Sequence, residues 1–427
     1  MIMDAPGDIV EICRSLNTAG YSVRFNGFSA LDRYLGLPAL PFLWAETNAD
    51  ITVLARLMEN LRFPGVEIAD AAVDVPGETC YFRCLDREEQ EENGGSFPLL
   101  SFGYDWQTRR FQDPLGLYPL LRTLLRKDTQ KLRNSKRDSP KGKNFQKERE
   151  DTSPVDISWE TALKQNTVSY NVTGRYRLIM DASLILSRYD LETAAPGYIN
   201  TLSRALANTL PVSPPGPEME RAFLTCLMVS PRPERGLKFL KSSGFLKERW
   251  PELASYDDVD HSKEFHPEGN VWNHTLETFQ HRKPGANGTF DLRLSLGLLL
   301  HDAGKPISAS NGNHRFNGHA ELGARAAAHF LERLEFKPAL IQDIFYLVKN
   351  HMLPAALKRL PVTKTAEIMA SPLFPTLMEL YRCDESSSFK GLEGYYENSA
   401  AYRTYLRNVK NPYRSADGKK IGAGIRH

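Results

Sequence analysis

A chain of 427 residues is too long for a single hydrophobic core and is expected to divide into several domains. With 41% hydrophobic and 25% charged residues it has the composition of an ordinary globular protein, and a net charge of +2 gives no global field for nucleic acid. The first residues, Met1 to Gly7, lack the basic and apolar segments of a leader, and the longest apolar run, near 292–300, is about half of what a bilayer requires. No membrane association and a cytoplasmic location are the expectation. The five cysteines are odd in number and scattered, which reads as reduced, mostly buried thiols.

In chain order, Ile9–Leu16 has helical spacing, Tyr21–Phe25 alternates like a strand, and Ile51–Leu61 is again helical. Thr79–Leu85 and Leu99–Tyr104 read as strands, and 105–114 as a hairpin with a proline-marked turn. From Arg126 to Asp151, Lys and Arg dominate with almost no bulky apolar residue. Such a segment reads as a solvated linker or, less directly, as a strip touching phosphates through Arg126, Lys127, Lys131, Arg133, Lys136 and Arg137. Beyond it the pattern is helical. Candidate helices are Ser158–Lys164, Ala182–Arg188, Gly197–Leu210, Pro217–Val229, Glu234–Ser243, Trp272–His281, Leu292–Leu300, Ala320–Leu334, Ala339–Asn350, Ala366–Met369 and Phe374–Asp384. The fold class expected is α+β, mainly helical, with an α/β head at 1–125, the basic insert at 126–153, a helical neck at 154–255, an all-α domain at 256–405 and a basic tail at 406–427.

Nine of the ten histidines lie between His261 and His351. Imidazoles clustered with carboxylates are what a divalent-metal site requires, since neutral imidazole suits borderline transition metals. His274 lies on an amphipathic helix. His301-Asp302 ends an apolar run, His319 opens a helix, His351 ends one, and Asp384 ends another. His261, His266, His281, His314 and His329 are expected around the site or on the surface, with His266 the nearest to lining it.

The order His, His-Asp, His, His, Asp, with Ala303-Gly304-Lys305 following, closely resembles the HD metal-dependent phosphohydrolases. The resemblance implies that His274, His301, Asp302 and Asp384 hold one ion, and that Asp302 bridges to a second ion held by His319 and His351. It also implies a divalent cofactor (Mn, Ni, Co, Fe or Mg), with Asp302, Lys305 and His319 as catalytic candidates. The likeness extends further. His266-Pro-Glu-Gly-Asn-Val-Trp-Asn-His-Thr275, Leu298-Leu-Leu-His-Asp-Ala-Gly-Lys-Pro306 and Phe316-Asn-Gly-His-Ala-Glu-Leu-Gly323 resemble the HD domain attached to bacterial tRNA nucleotidyltransferases and poly(A) polymerases. Upstream, Ser230-Pro-Arg-Pro-Glu-Arg-Gly-Leu-Lys-Phe-Leu240 and Trp250-Pro-Glu-Leu253 resemble that family's helical neck. Phe111-Gln-Asp-Pro-Leu-Gly116 resembles the turn closing its catalytic head.

The head departs from that family where magnesium would bind. Its first motif reads Gly27-Phe-Ser-Ala-Leu-Asp32, the paired-acid position falls on Phe42 and Trp44, and the third acid falls near Ser96. Aromatic side chains supply no oxygen ligands. In the neck, Asp181 is present but Leu184 and Ser187 stand where arginines are expected. Glu46, Asp50 and Asp105 are the acids nearby.

The expectation is an HD-type phosphohydrolase acting on a phosphomonoester or 2′,3′-cyclic phosphate of a nucleotide or RNA end, behind an inactive nucleotidyltransferase-like head. The alternatives are a CCA-adding tRNA nucleotidyltransferase or poly(A) polymerase, and a non-catalytic RNA-binding regulator. Nucleotide or RNA ends, and tRNA among the RNAs, are the expected partners.

Overall fold

The computed structural model describes residues 7–65, 69–76, 78–85, 100, 102–113, 116, 118, 175–189, 214–259, 269–310, 316–388 and 391–420. The chain forms two compact units, Met1–Cys226 and Leu227–His427. The division falls inside the stretch expected as a helical neck. The class is α+β and mainly helical, as the sequence implies, and no helix of the described residues is long and apolar enough to cross a membrane.

The first unit opens with α1 (Gly7–Thr18), β1 (Val23–Asn26), α2 (Phe28–Leu35), β2 (Phe42–Thr47) and α3 (Ile51–Leu57). Strands β3 (Leu61–Arg62), β4 (Ala71–Val75), β5 (Glu78–Cys84), β6 (Gly103–Asp105) and β7 (Arg110–Gln112) follow. The sheet runs β3-β4-β5-β2-β1-β6-β7. Only β2 and β5 pair in parallel among these neighbours, from Phe42 opposite Thr79 to Thr47 opposite Cys84. Gly27 turns the chain from β1 into α2 at φ +56 and ψ −125, a conformation only glycine adopts without strain.

Strand β2 is not evident from sequence, because Phe42-Leu-Trp-Ala45 is an unbroken apolar run. In the fold it alternates, with Leu43, Ala45 and Thr47 buried and Phe42, Trp44 and Glu46 half-buried on the other face. Phe42 and Trp44 stack on Tyr81 of β5 at centroid distances of 6.0 and 5.9 Å. Helices α4 (Arg175–Arg188) and α5 (Pro217–Met228) close the unit, α5 running two residues past its boundary. Arg188 of α4 donates to Asp32 of α2 at 2.7 Å, and Tyr189 donates to the same oxygen at 3.0 Å. Burial pushes the Asp32 carboxyl up, and the guanidinium and phenol work against that rise.

The second unit begins with α6 (Pro233–Ser242), α7 (Phe245–Arg249), α8 (Pro251–Ala254) and α9 (Val271–Thr278). Then come α10 (Leu292–Leu300), α11 (Gly304–Ser310), α12 (His319–Arg333), α13 (Pro338–Asn350), α14 (Val362–Met369), α15 (Phe374–Ser386) and α16 (Glu393–Lys410). Asp291 caps α10 by accepting the Leu294 amide at 2.9 Å. Every residue of α10 from Leu294 to Leu300 is buried, as expected for a helix that is apolar on all sides. Gly297 lets it lie close to its neighbours: a methyl group there would stand 2.9 Å from Leu380 of α15 and 3.3 Å from Leu347 of α13.

A tighter approach fixes α11 against α12. A Cβ on Gly304 would collide with the His319 carbonyl oxygen and come within 2.6 Å of the Gly323 nitrogen. A Cβ on Gly323 would lie 2.9 Å from the Gly304 nitrogen. Backbone faces backbone here, and no flexible side chain can yield. Gly304→Ala should therefore destabilise the protein by about 3 kcal/mol or more, at the upper end of overpacking costs. Urea denaturation checks this, and an alanine variant as stable as the parent would show that the two helices can part freely.

Candidate metal centre

Four imidazoles reach one place from four helices. His301 and His351 cap the C-terminal ends of α10 and α13, His319 begins α12 behind Gly318, and His274 stands in the middle of α9. Asp302 follows His301, and Asp384 lies in the last turn of α15. His274, His301, Asp302 and His351 are 1–2% exposed, and His319 is 9% exposed.

Asp302 sits between two pairs of rings. Its Oδ2 lies 3.3 Å from His301 Nε2 and 3.9 Å from His274 Nε2. Its Oδ1 lies 3.6 Å from His319 Nε2 and 3.9 Å from His351 Nε2. Asp384 Oδ1 stands beside the first pair, 3.0 Å from His274 and 3.9 Å from His301. Lys305 Nζ reaches Asp302 Oδ2 at 2.7 Å. Among the described residues, His274–His301–Asp302 and Asp302–His319–His351 are the groups of three or more side chains close enough to share an ion.

The protonation of the rings follows from their far nitrogens. Nδ1 of His301 faces the Leu298 carbonyl at 2.9 Å, that of His319 the Phe316 carbonyl at 2.8 Å, and that of His351 the Val348 carbonyl at 2.7 Å. A carbonyl only accepts, so each Nδ1 carries the proton and donates, and Nε2 of the neutral ring is a bare lone pair. Yet Nε2 of His301 and His274 face each other at 3.3 Å, and those of His319 and His351 at 3.1 Å. Lone pairs facing at that distance call for a cation between them. Two imidazoles bound to one ion at about 2.1 Å set their nitrogens roughly 3.0–3.4 Å apart. The donor set therefore fits divalent metal.

Electrostatics agree. Burial, with the His301 ring adding to it, holds the His351 imidazole down to about 4, and burial lowers His319 despite the opposing Asp302 charge. Both rings are thus neutral at neutral pH and able to act as metal ligands. Burial alone would raise Asp302 and Asp384. Positive charge beside them holds both below the usual carboxylate range: protonated His301 and the Lys305 ammonium for Asp302, and protonated His274, hydrogen-bonded to it, for Asp384, a compensation that a bound cation would supply in their place.

The remaining histidines stand elsewhere. His281 is 3.9 Å from Glu277, and His329 is exposed on α12. His261, His266 and His314 lie outside the described residues, as do Ser96 and the basic residues Arg126, Lys127, Lys131, Arg133, Lys136 and Arg137. In the first unit, every acid weighed for magnesium is already engaged. Asp32 is held by Arg188, Glu46 pairs with Arg24 at 2.6 Å, and Asp181 pairs with Arg177 at 2.8 Å. Asp50 caps α3 through the Val53 amide, and Asp105 accepts from Thr108. Ser187 turns back onto the Ser183 carbonyl, and Leu184 is buried.

Sequence reading missed the groups that orient the rings. These are the carbonyls of Leu298, Phe316 and Val348, and Ser387, whose Oγ lies 3.3 Å from His274 Nδ1. Each carbonyl belongs to the residue three places before its histidine, a spacing visible in sequence only once the helix ends are known.

Residues 271–372 match the HD domain family model. The chain is 32% identical over 194 residues to the CC-adding tRNA nucleotidyltransferase of Thermus thermophilus, a match that covers 43% of this chain and 42% of that protein. It is 32% identical over 126 residues to the multifunctional CCA protein of Halorhodospira halophila, 29% of each. The match thus spans less than half the length of these curated relatives. A solved tRNA nucleotidyltransferase complexed with a primer tRNA and an incoming ATP analog aligns over 94% of this chain and all of its own, at 14% identity and a TM-score of 0.42, a likeness too slight to bear on function.

The metal-free protein should lose stability in acid. His319 and His351 have folded pKa values below 6.5, so between pH 6.5 and 4 the unfolded chain binds protons that the fold excludes. The His351 contribution is complete above pH 6.5 and fades as the pH falls, by about 2–3 kcal/mol near pH 4.5, with His319 acting in the same direction. Denaturation midpoints of chelator-treated protein across this range measure it, and a flat profile would contradict neutral buried rings. With its paired candidate ligand sets converging in the second unit, the segment 271–372 is an HD domain, carried by a chain similar to a CC-adding tRNA nucleotidyltransferase and to multifunctional CCA proteins.

Proposed function

We propose that this chain hydrolyses phosphate esters at the ends of RNA or nucleotides. His274, His301, Asp302 and Asp384 would hold one divalent ion, and His319, His351 and the far oxygen of Asp302 a second. The observation that carries this reading is the two pairs of facing Nε2 atoms, at 3.3 and 3.1 Å, spanned by one carboxylate. Divalent ions held there would supply a water of lowered pKa and positive charge for phosphoryl oxygens.

The chain's own residues divide the remaining work. Neutral rings leave Asp302 and Asp384 as the charges of the ligand set. The Lys305 side chain is 13% exposed, so its ammonium offsets Asp302 while presenting a point charge to a substrate phosphate. His319 has Nδ1 committed to a carbonyl and Nε2 aimed at its partner ring, so it serves as a ligand and has no nitrogen left to shuttle a proton. Four nitrogen donors favour Mn, Fe, Co or Ni over Mg, which prefers oxygen. The substrate class is supported by the Thermus thermophilus relative, whose name includes tRNA.

A second reading, nucleotide addition to tRNA by the first unit, is the one those names favour more directly. Its carboxylates would have to come from residues other than Phe42 and Trp44, which stack on Tyr81.

One experiment separates the two. RNA ending in a 3′-phosphate or 2′,3′-cyclic phosphate is incubated with the full chain and Mn, Co, Ni or Mg. In parallel, tRNA lacking its 3′ end is given labelled CTP and ATP. Asp302→Ala should reduce ester hydrolysis by more than the ~100-fold that loss of a supporting hydrogen bond costs a metal site. Absence of hydrolysis with every metal, together with label incorporation that Asp302→Ala leaves intact, would move the function to the first unit.

A further inference from the structure

We infer that Ser387 is a positioning residue of the metal centre, fixing the ring of His274 and tying it to the helix that carries Asp384. The inference rests on the metal reading above and deepens it. It starts from a difference among the four imidazoles. His301, His319 and His351 stand at helix ends or just past a turn, where a carbonyl keeps a lone pair free of the i+4 amide and can accept from a side chain. Each of these rings is clamped by the carbonyl three residues before it.

His274 is placed differently. It is the fourth residue of α9, and the carbonyl three residues before it, that of Val271, already accepts from the Thr275 hydroxyl at 2.8 Å. Its ring is met instead from the end of another helix, by Ser387 Oγ at 3.3 Å from Nδ1. The serine proton goes to the nearer acceptor, the Asp384 carbonyl oxygen at 2.6 Å. The hydroxyl oxygen therefore faces Nδ1 with its lone pairs and holds it as N–H. With Nδ1 as the N–H, Nε2, 3.0 Å from Asp384 Oδ1, is the ring atom that would hold the first ion. A single hydroxyl thus sets the tautomer of one ligand and braces the backbone of another. It serves only the first site, because the rings of the second are clamped by backbone carbonyls.

The test is metal binding, read without any substrate. Chelator-stripped full chain is titrated with Co²⁺ and followed by visible absorbance, for the parent, Ser387→Ala and Ser387→Thr. Ser387→Ala should weaken one of two binding steps by about 10–100-fold and leave the other unchanged, and Ser387→Thr, which keeps the hydroxyl, should restore it. Binding by Ser387→Ala equal to the parent overturns the inference, as does an equal loss in both variants, which would indicate packing and not the hydroxyl. A parent chain that takes up no Co²⁺ overturns the metal reading and this inference together. Parent binding with an unaffected alanine variant overturns this inference alone.

Discussion

Asp302 is 1% exposed and stays ionised, and a full charge in that position needs compensation on every side. Each of its oxygens faces a different pair of imidazoles, and an ammonium stands 2.7 Å away. Its setting within the helices adds to the demand. Asp302 directly follows the C-terminal end of α10, and Asp384 lies in the last turn of α15, where the helix dipole disfavours negative charge. Two acids at the unfavourable ends of two helices form an arrangement that a cation would complete.

The surrounding fold exists to bring those ends together. The leucines of α10 are enclosed completely, so its last turn, and with it His301 and Asp302, has little room to shift. Gly304 and Gly323 press the start of α11 onto the start of α12, which places His319 on the far side of Asp302 from His301. Larger residues at those two glycines would widen the space between the ring pairs and carry the carboxylate out of reach of one of them.

The residues that converge on the candidate metal centre were legible in the sequence because metal chemistry needs particular side chains, and these stand out when crowded into one window of the chain. Helices α10, α12, α13 and α15 were also legible, from apolar helical spacing, to within two residues of the observed ends. Helix α16 was not recognised. Its polar and tyrosine-rich sequence, Glu393 to Lys410, has Gly394 in its first turn and no clear apolar stripe. Strand β2 was hidden for the opposite reason, being apolar on both faces. Asp32 kept the look of a head motif residue, yet its partner Arg188 is 156 residues away and no local pattern announces the pair. Ser387 was equally silent, since a serine acquires a role only when α9 and the end of α15 are placed side by side.

Three of the four rings take their orientation from the path of the main chain. Exchange of the side chains lining the approach would leave those rings aimed as before. Side chains around the site can therefore vary between related chains while the main chain keeps these three imidazoles in register.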